Sequence, residues 1–192
     1  MHSLRNYAQR TEFLVQAVIV GDLARLYSML FSHAQCLSLA SDHTPPQYLV
    51  NLPDATGWSP IHYCVSVEHP STDVLDVLYR AGADVNLYTT SGHETPLHCL
   101  AYKARQPKTP EQAASLRSFI LHLVRDLHAP LSARDHNMDS CLHVAAEHGR
   151  STDVVTALLA ADTAGTLREL RNSRGCVRDR ELRAVYVADG ML

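Results

Sequence analysis

The sequence has no long apolar run, and no stretch approaches the roughly 18 residues that a membrane span requires. Residues 13–20 resemble the apolar core of a signal peptide. However, Gln16 interrupts them and no small-residue cleavage site follows. We therefore expect an intracellular protein, cytoplasmic or nuclear, with no membrane partner.

Cysteines are few and widely separated. The 5 cysteines include no Cys-x-x-Cys pair, which argues against a zinc ribbon. An odd number of scattered cysteines fits a reducing compartment. Cys64, Cys99 and Cys141 fall in or at the start of predicted helices, where they would act as small apolar residues.

Aromatic residues are also scarce, at 6% against 46% apolar residues, which favours helices packed through Leu, Val and Ala over a β-sandwich. The net charge of -3 favours neither a polyanion binder nor an acidic disordered tail. A chain of 192 residues indicates one domain or one repeat array. We do not expect nucleic acid as a partner.

The familiar catalytic motifs are missing. The sequence contains no nucleophile elbow, phosphate-binding loop or His-Glu-x-x-His. Glu68-His69 and Glu147-His148 are adjacent pairs, and adjacent residues do not face one another on a helix. We therefore expect no enzymatic activity, no small-molecule substrate and no cofactor.

The sequence does contain a repeated signal for the start of a helix. Residues 57–62 read Gly-Trp-Ser-Pro-Ile-His, residues 91–98 read Ser-Gly-His-Glu-Thr-Pro-Leu-His, and residues 138–143 read Met-Asp-Ser-Cys-Leu-His. Ser or Thr is a good N-cap, because its hydroxyl can accept an orphan backbone N–H. Pro suits the first helical position, and Leu or Ile begins the buried face.

A histidine ends each copy of this signal, at His62, His98 and His143. A buried imidazole must find partners for both ring nitrogens. Because the positions match, we predict structural histidines satisfied by backbone or hydroxyl groups. The segments 68–74 and 147–154 are nearly the same, which indicates internal duplication.

These signals are followed by a small-residue helix and by a second helix that ends, at residues 81–86, in Ala-Gly-Ala-Asp-Val-Asn. This pattern resembles the ankyrin repeat over about residues 10–175. The resemblance implies an all-α solenoid of helix-turn-helix repeats joined by β-hairpin-like turns. It also implies a protein–protein interaction scaffold with no catalytic chemistry.

The N-terminal part, residues 1–53, is predicted to form a capping helix pair and a connecting loop. We expect residues 1–10 to be frayed and helices at 11–20 and 23–31. The connection at 32–53, a long loop or a short helix plus a loop, has two open interpretations, a functional loop and a simple insertion.

Three repeats are predicted after this cap, at 54–88, 89–131 and 132–171. The second carries an inserted loop at 103–112, followed by a helix at 113–126 and by His128 at a left-handed position that favours Gly. The end, 172–192, is either a degenerate fourth repeat forming a C-terminal cap, or a divergent or truncated end. Its arginines form either an interaction tail or a solvated helix face.

The resemblance implies that partners contact the hairpin tips and the inner face of each first helix, on the concave side of the array. Carried onto this chain, the tips supply Ala55, Thr56 and Trp58; Thr90, Ser91, His93 and Glu94, where one extra residue is present; and His136, Asn137 and Asp139. The helices supply Ser66, Val67, Tyr102, Lys103, Glu147 and His148.

Some of these assignments have a second interpretation. Trp58 is either a binding hot spot or a residue that packs on the neighbouring hairpin. Glu147 and His148 are either contact residues or ordinary helix-surface residues. Histidines from neighbouring repeats (His93, His98, His136 and His143) could approach in pairs, but zinc usually takes three or four ligands, so we expect no metal.

The sequence thus predicts a monomeric, non-enzymatic scaffold that binds other proteins on its concave surface. The alternative is an interaction or regulatory fragment of a larger multidomain signalling protein. The inserted loop at 103–112 is the second candidate for a contact site.

Overall fold

A computed structural model describes residues 2–31, 46–148 and 150–174. Within these ranges the regular elements are helices, accompanied by one isolated bridge between Arg105 and Arg150. The helices are α1 (His2–Val20), α2 (Leu23–Phe31), α3 (Pro46–Asn51), α4 (Pro60–Ser66), α5 (Thr72–Arg80), α6 (Pro96–Lys103), α7 (Pro110–Leu121), α8 (Cys141–His148) and α9 (Thr152–Ala161). A π-helical turn (His122–Asp126) continues α7, and a 3₁₀ turn covers Thr166–Arg168.

The helices stack in two rows. The inner row is α1, α4, α6 and α8, each packed on the next, and the outer helices α2, α5, α7 and α9 pack against them or against one another. One continuous apolar core runs through the stack, from Leu14 in α1 to Leu167 in the 3₁₀ turn. The all-α repeat fold predicted from the sequence is confirmed.

The thiols of the inner helices belong to this core. Cys64, Cys99 and Cys141 are free and buried, as the sequence predicts. Burial raises the pKa of the Cys64 and Cys141 thiols to about 12. These cysteines therefore serve as small apolar residues rather than as reactive groups.

Left-handed residues follow two of the outer helices, α5 and α7 with its π turn. Gly82 follows α5 with a φ of 94°, and His128 follows the π turn with a φ of 61°. The prediction for His128 is confirmed. The turn before it is also distorted, because the Leu127 N–H donates to the His122 carbonyl, five residues back, at 3.1 Å.

Two predicted boundaries are wrong. Helix α1 begins at His2 rather than near residue 11, because residues 2–10 contain no Gly or Pro and include good helix formers. Helix α7 begins at Pro110 rather than Ala113. Thr109 is its N-cap and accepts the Gln112 N–H at 3.3 Å, so the inserted loop shortens to 104–109.

The inserted loop is tied to the third repeat through Gln106. Its Oε1 accepts the Thr152 N–H at 2.9 Å, and its Nε2 donates to Asp153 Oδ2 at 2.8 Å. Gln106 thus caps α9, whose own N-cap, Ser151, makes no side-chain capping bond. The loop is therefore anchored rather than projecting freely.

Of the connection at 32–53, the described part contains helix α3. Asn51 joins it to the first repeat, donating to the Gly82 carbonyl at 2.8 Å and accepting the Asp84 N–H at 2.9 Å. The predictions for residues 32–45 and 175–192 lie outside the described residues.

Candidate functional site: the hairpin tips and inner helices

Each inner helix of the repeats begins with a histidine at its third position. Nδ1 of His62 accepts the Ser59 N–H at 3.1 Å, and Nδ1 of His98 accepts the Thr95 N–H at 3.2 Å. Nδ1 of His143 accepts the Ser140 N–H at 3.3 Å. In an ordinary capping box this role belongs to Glu or Gln.

The other ring nitrogen reaches the next repeat. Since Nδ1 accepts, the proton lies on Nε2, which donates from His62 to the Leu87 carbonyl at 3.1 Å and from His98 to the Asp139 carbonyl at 3.0 Å. Burial lowers the pKa of both imidazoles and favours their neutral form. The predicted structural role of these histidines is confirmed.

Three hairpin tips lie in front of the inner row. In the first tip, the Asp54 N–H donates a hydrogen bond to the Trp58 carbonyl at 2.9 Å. In the third, the Asp135 N–H donates to the Asp139 carbonyl at 3.0 Å. In the second tip, the Thr89 N–H donates to the Glu94 carbonyl at 2.9 Å, so this tip spans one residue more than the others. The predicted extra residue is therefore present.

A left-handed residue precedes the closing position of every tip: Gly57 (φ 85°), His93 (φ 54°) and Met138 (φ 61°). Only the first tip has the glycine that this conformation favours. In the second tip it is His93, rather than the neighbouring Gly92, that takes the left-handed conformation.

The tips are joined through their main chains. The Thr90 N–H donates to the Gly57 carbonyl at 3.1 Å, and the His136 N–H donates to the Gly92 carbonyl at 3.3 Å. The Ser173 N–H donates to the Asn137 carbonyl at 3.3 Å. We call this series the tip ladder. It fixes the spacing of the tips without using their side chains.

At the first tip, Ala55 and Thr56 are exposed and Trp58 is half-buried. The Trp58 ring packs on Tyr63 within its own repeat, with centroids 5.3 Å apart, while Lys103 Nζ lies 6.0 Å from the Trp58 centroid. Trp58 therefore bridges the first tip and the second repeat.

At the second tip, Thr90, Ser91 and His93 are exposed. The His93 ring stacks on Tyr88 at 4.0 Å and lies 5.8 Å from the His136 ring of the third tip. Glu94 is half-buried; burial, and then the negative charge of Asp135, raise the pKa of its carboxyl.

The third tip divides into an exposed and a buried part. His136 and Asn137 are exposed, whereas Asp139 is buried and accepts a hydrogen bond from Asn172 Nδ2 at 2.8 Å. The Asp139 side chain therefore holds the tip together rather than lying on its surface.

On the inner helices, three of the predicted residues form a connected strip. Tyr102 and His148 meet edge to face with centroids 5.7 Å apart, and Lys103 Nζ lies 5.2 Å from the Tyr102 centroid. Glu147 pairs with Arg174 at 3.2 Å. Ser66 and Val67 are half-buried at the end of α4.

Beside this strip lies a cavity of about 330 Å³, which we call the basic pocket. It is lined by Tyr102, Lys103, Arg105, His148 and Arg150. Sequence reasoning placed Arg105 only in the second-choice loop and missed Arg150. An arginine two residues past the end of α6 and of α8 was the available signal for both.

The structure leaves no spare nitrogen on His98 for a metal, because both ring nitrogens are hydrogen-bonded. Among the described residues, no group of three or more His, Cys, Asp or Glu side chains is placed to hold a metal ion. In the same part of the chain, no helix is both long and apolar enough to cross a bilayer.

The family model of the ankyrin repeat matches residues 56–90, from the first tip through α4 and α5 to the second tip. Ankyrin repeats are protein–protein interaction modules and are generally not catalytic. The matched segment is flanked on both sides by further stacked helix pairs. Residues 56–90 thus match an ankyrin repeat, and the described part of the chain folds as an all-α array of stacked helix pairs.

Proposed function

We propose that this protein is a non-enzymatic scaffold that holds other proteins on the surface formed by its hairpin tips and inner helices. The tip ladder is the observation that carries this proposal. Its bonds at 57–90, 92–136 and 137–173 connect main-chain atoms only. Side chains are therefore not needed to join one tip to the next.

The exposed tip side chains support this role. Thr56, Ser91, His93, His136 and Asn137 stand on hairpins that are closed by backbone bonds and joined to their neighbours. A surface held in this way loses little conformational entropy on binding, which favours affinity.

The expected partner is a folded protein or an extended peptide from one, and no small molecule or nucleic acid. We expect the chain to act as a monomer inside the cell. The same surface would serve if the chain were an interaction part of a larger signalling protein. Asp139 is the one predicted contact residue that we now assign to support of the tip.

Affinity capture from a cell extract, read by mass spectrometry, tests this proposal with three baits. The first is the unaltered chain. The second carries Ser91→Ala, His93→Gly, His136→Ala and Asn137→Ala, where glycine is chosen because residue 93 is left-handed. The third is a matched control with Asp73→Ala, Tyr79→Ala, Glu111→Ala and Ser118→Ala on exposed positions of α5 and α7.

We expect proteins that the first and third baits retain and the second loses. Circular dichroism must show equal helix content in all three. If the second bait retains the same proteins as the first, the tip assignment is contradicted. If only the third bait loses them, the binding surface lies on the outer helices instead.

A further inference from the structure

The basic pocket lies where two inner helices end. Tyr102 and Lys103 close α6, and His148 closes α8. Arg105 and Arg150 follow these helices, and their main chains are joined by a parallel bridge. The two guanidinium groups therefore start from adjacent points of the backbone.

Lys103, Arg105 and Arg150 have no ion-pair partner among the described residues, whereas His148 Nε2 lies 3.9 Å from Glu147 Oε2. Other arginines do have such a partner: Arg117 lies 3.3 Å from Asp153, and Arg174 lies 3.2 Å from Glu147. Lys103 lies close enough to Glu94 for its positive charge to act on that carboxyl and lower its pKa, but the two side chains form no ion pair. The chain as a whole carries a net charge of -3, so this cluster is not the result of a generally basic protein.

Helix dipoles do not neutralise the pocket. Each of the two helix C-termini contributes about half a negative elementary charge. Three full positive charges from Lys103, Arg105 and Arg150 exceed that sum. The pocket therefore presents a positive field to whatever occupies it.

Aromatic rings form one wall and hold the lysine in place. Lys103 Nζ lies 5.2 Å from the Tyr102 centroid and 6.0 Å from the Trp58 centroid. Both distances allow a cation–π attraction. The Tyr102 and His148 rings, packed edge to face, extend this wall towards Arg150.

We propose that the basic pocket receives a segment of a partner protein rich in glutamate or aspartate. This inference rests on the proposed function and names the chemistry of the partner. Arg105 and Arg150 offer planar donor pairs that match a carboxylate, and Lys103 adds a point charge. The volume of about 330 Å³ suits a few side chains of an extended peptide, at the lower end of the range of about 300–1,000 Å³ common for ligand clefts.

A random peptide library, displayed on phage and selected on the purified chain, tests this proposal. Two variants accompany the unaltered chain in every binding measurement. The pocket variant carries Arg105→Gln and Arg150→Gln. The control carries Arg80→Gln and Arg168→Gln, which remove the same charge from exposed positions elsewhere.

We expect the selected peptides to be enriched in glutamate and aspartate relative to the starting library. Synthetic copies labelled with fluorescein should bind the pocket variant with an affinity lower by about tenfold or more, because charge-assisted hydrogen bonds are lost. Their affinity for the control should be unchanged. Replacement of each acidic residue in the peptide by its amide should have the effect of the pocket variant.

Three outcomes would overturn the inference. Selected peptides without acidic enrichment, whose binding the pocket variant leaves intact, would refute it while leaving the scaffold proposal standing. Failure to select any peptide, together with equal capture by the tip variant and the unaltered chain, would refute both. A labelled single-stranded DNA oligonucleotide that binds more tightly than the acidic peptides, and is lost from the pocket variant, would assign the pocket to nucleic acid instead.

Discussion

His98 and Asp139 are joined across two repeats by a hydrogen bond of 3.0 Å, from the imidazole Nε2–H to the main-chain carbonyl. The same ring accepts the Thr95 N–H at 3.2 Å through Nδ1. One fully buried side chain therefore starts its own helix and positions the following tip.

The first prediction concerns the removal of this ring. His98→Leu leaves the Thr95 N–H and the Asp139 carbonyl without their partner, and each unsatisfied buried group costs about 1–3 kcal/mol. We expect the free energy of unfolding to fall by about 2–5 kcal/mol. Urea denaturation followed by circular dichroism measures this, and His136→Leu at the exposed third tip is the control. Equal stabilities for the two variants would contradict the assigned role of His98.

The second prediction is a loss of stability in acid. The pKa values of His62 and His98 are lowered from 6.5 by burial. A base with a lowered folded pKa binds fewer protons when folded. Its contribution is therefore complete above pH 6.5 and is lost as the pH falls from 6.5 through the lower folded value. The melting temperature should decline over that range.

His122 acts in the opposite direction and supplies the control. Its Nε2 lies 2.8 Å from Asp76 Oδ1 and its Nδ1 lies 2.7 Å from Asp126 Oδ2, and these hydrogen bonds raise its pKa above 6.5. Its stabilisation is full below pH 6.5 and is lost as the pH rises through the raised value. His122→Asn should therefore remove the gain in stability that appears as the pH falls towards 6.5 and leave the loss below pH 6.5 in place. A flat profile below pH 6.5 in this variant would count against the second prediction.

The third prediction is a stabilising substitution at the third tip. Met138 is left-handed, with a φ of 61°, and its side chain is 51% exposed. Met138→Gly removes the clash of a Cβ atom at little loss of packing. We expect a gain of about 0.5–1 kcal/mol. Met138→Ala keeps the Cβ atom and should bring no such gain in thermal unfolding.

The fourth prediction concerns the inserted loop. Gln106→Ala removes the acceptor of the Thr152 N–H and leaves α9 without this cap. We expect a loss of about 0.5–2 kcal/mol, the usual cost of a missing N-cap. Hydrogen exchange should quicken first in α9. Gln112→Ala, in the first turn of α7, removes only the acceptor of the Lys108 N–H and should leave α9 protected.

Much of the helix stack follows from local signals in the sequence. Ser59-Pro60 and Thr95-Pro96 start helices where the capping rule places them, and Gly82 ends one. The sequence predicts that the buried imidazoles of His62 and His98 hydrogen-bond to backbone or hydroxyl groups. It does not predict which ones, since the Leu87 and Asp139 carbonyls meet these rings only through the stacking of repeats.

The functional surface was predictable in part. The resemblance to ankyrin repeats placed Trp58, Tyr102, Lys103 and His148 on one face, and the structure brings these four side chains into a connected series. Arg150 escaped notice because its partner in the pocket, Arg105, lies in an insertion whose path no repeat pattern describes. The start of α7 was missed although Thr109-Pro110 carries the same signal as the inner helices.

The tip ladder also bears on how such a surface can change. Its donors and acceptors are peptide groups, which every residue other than proline supplies alike. Exposed residues such as Ser91 and Asn137 can therefore be exchanged for others without loosening one tip from the next. A scaffold built in this way can acquire new partners by substitution at its tips while the stack beneath remains the same.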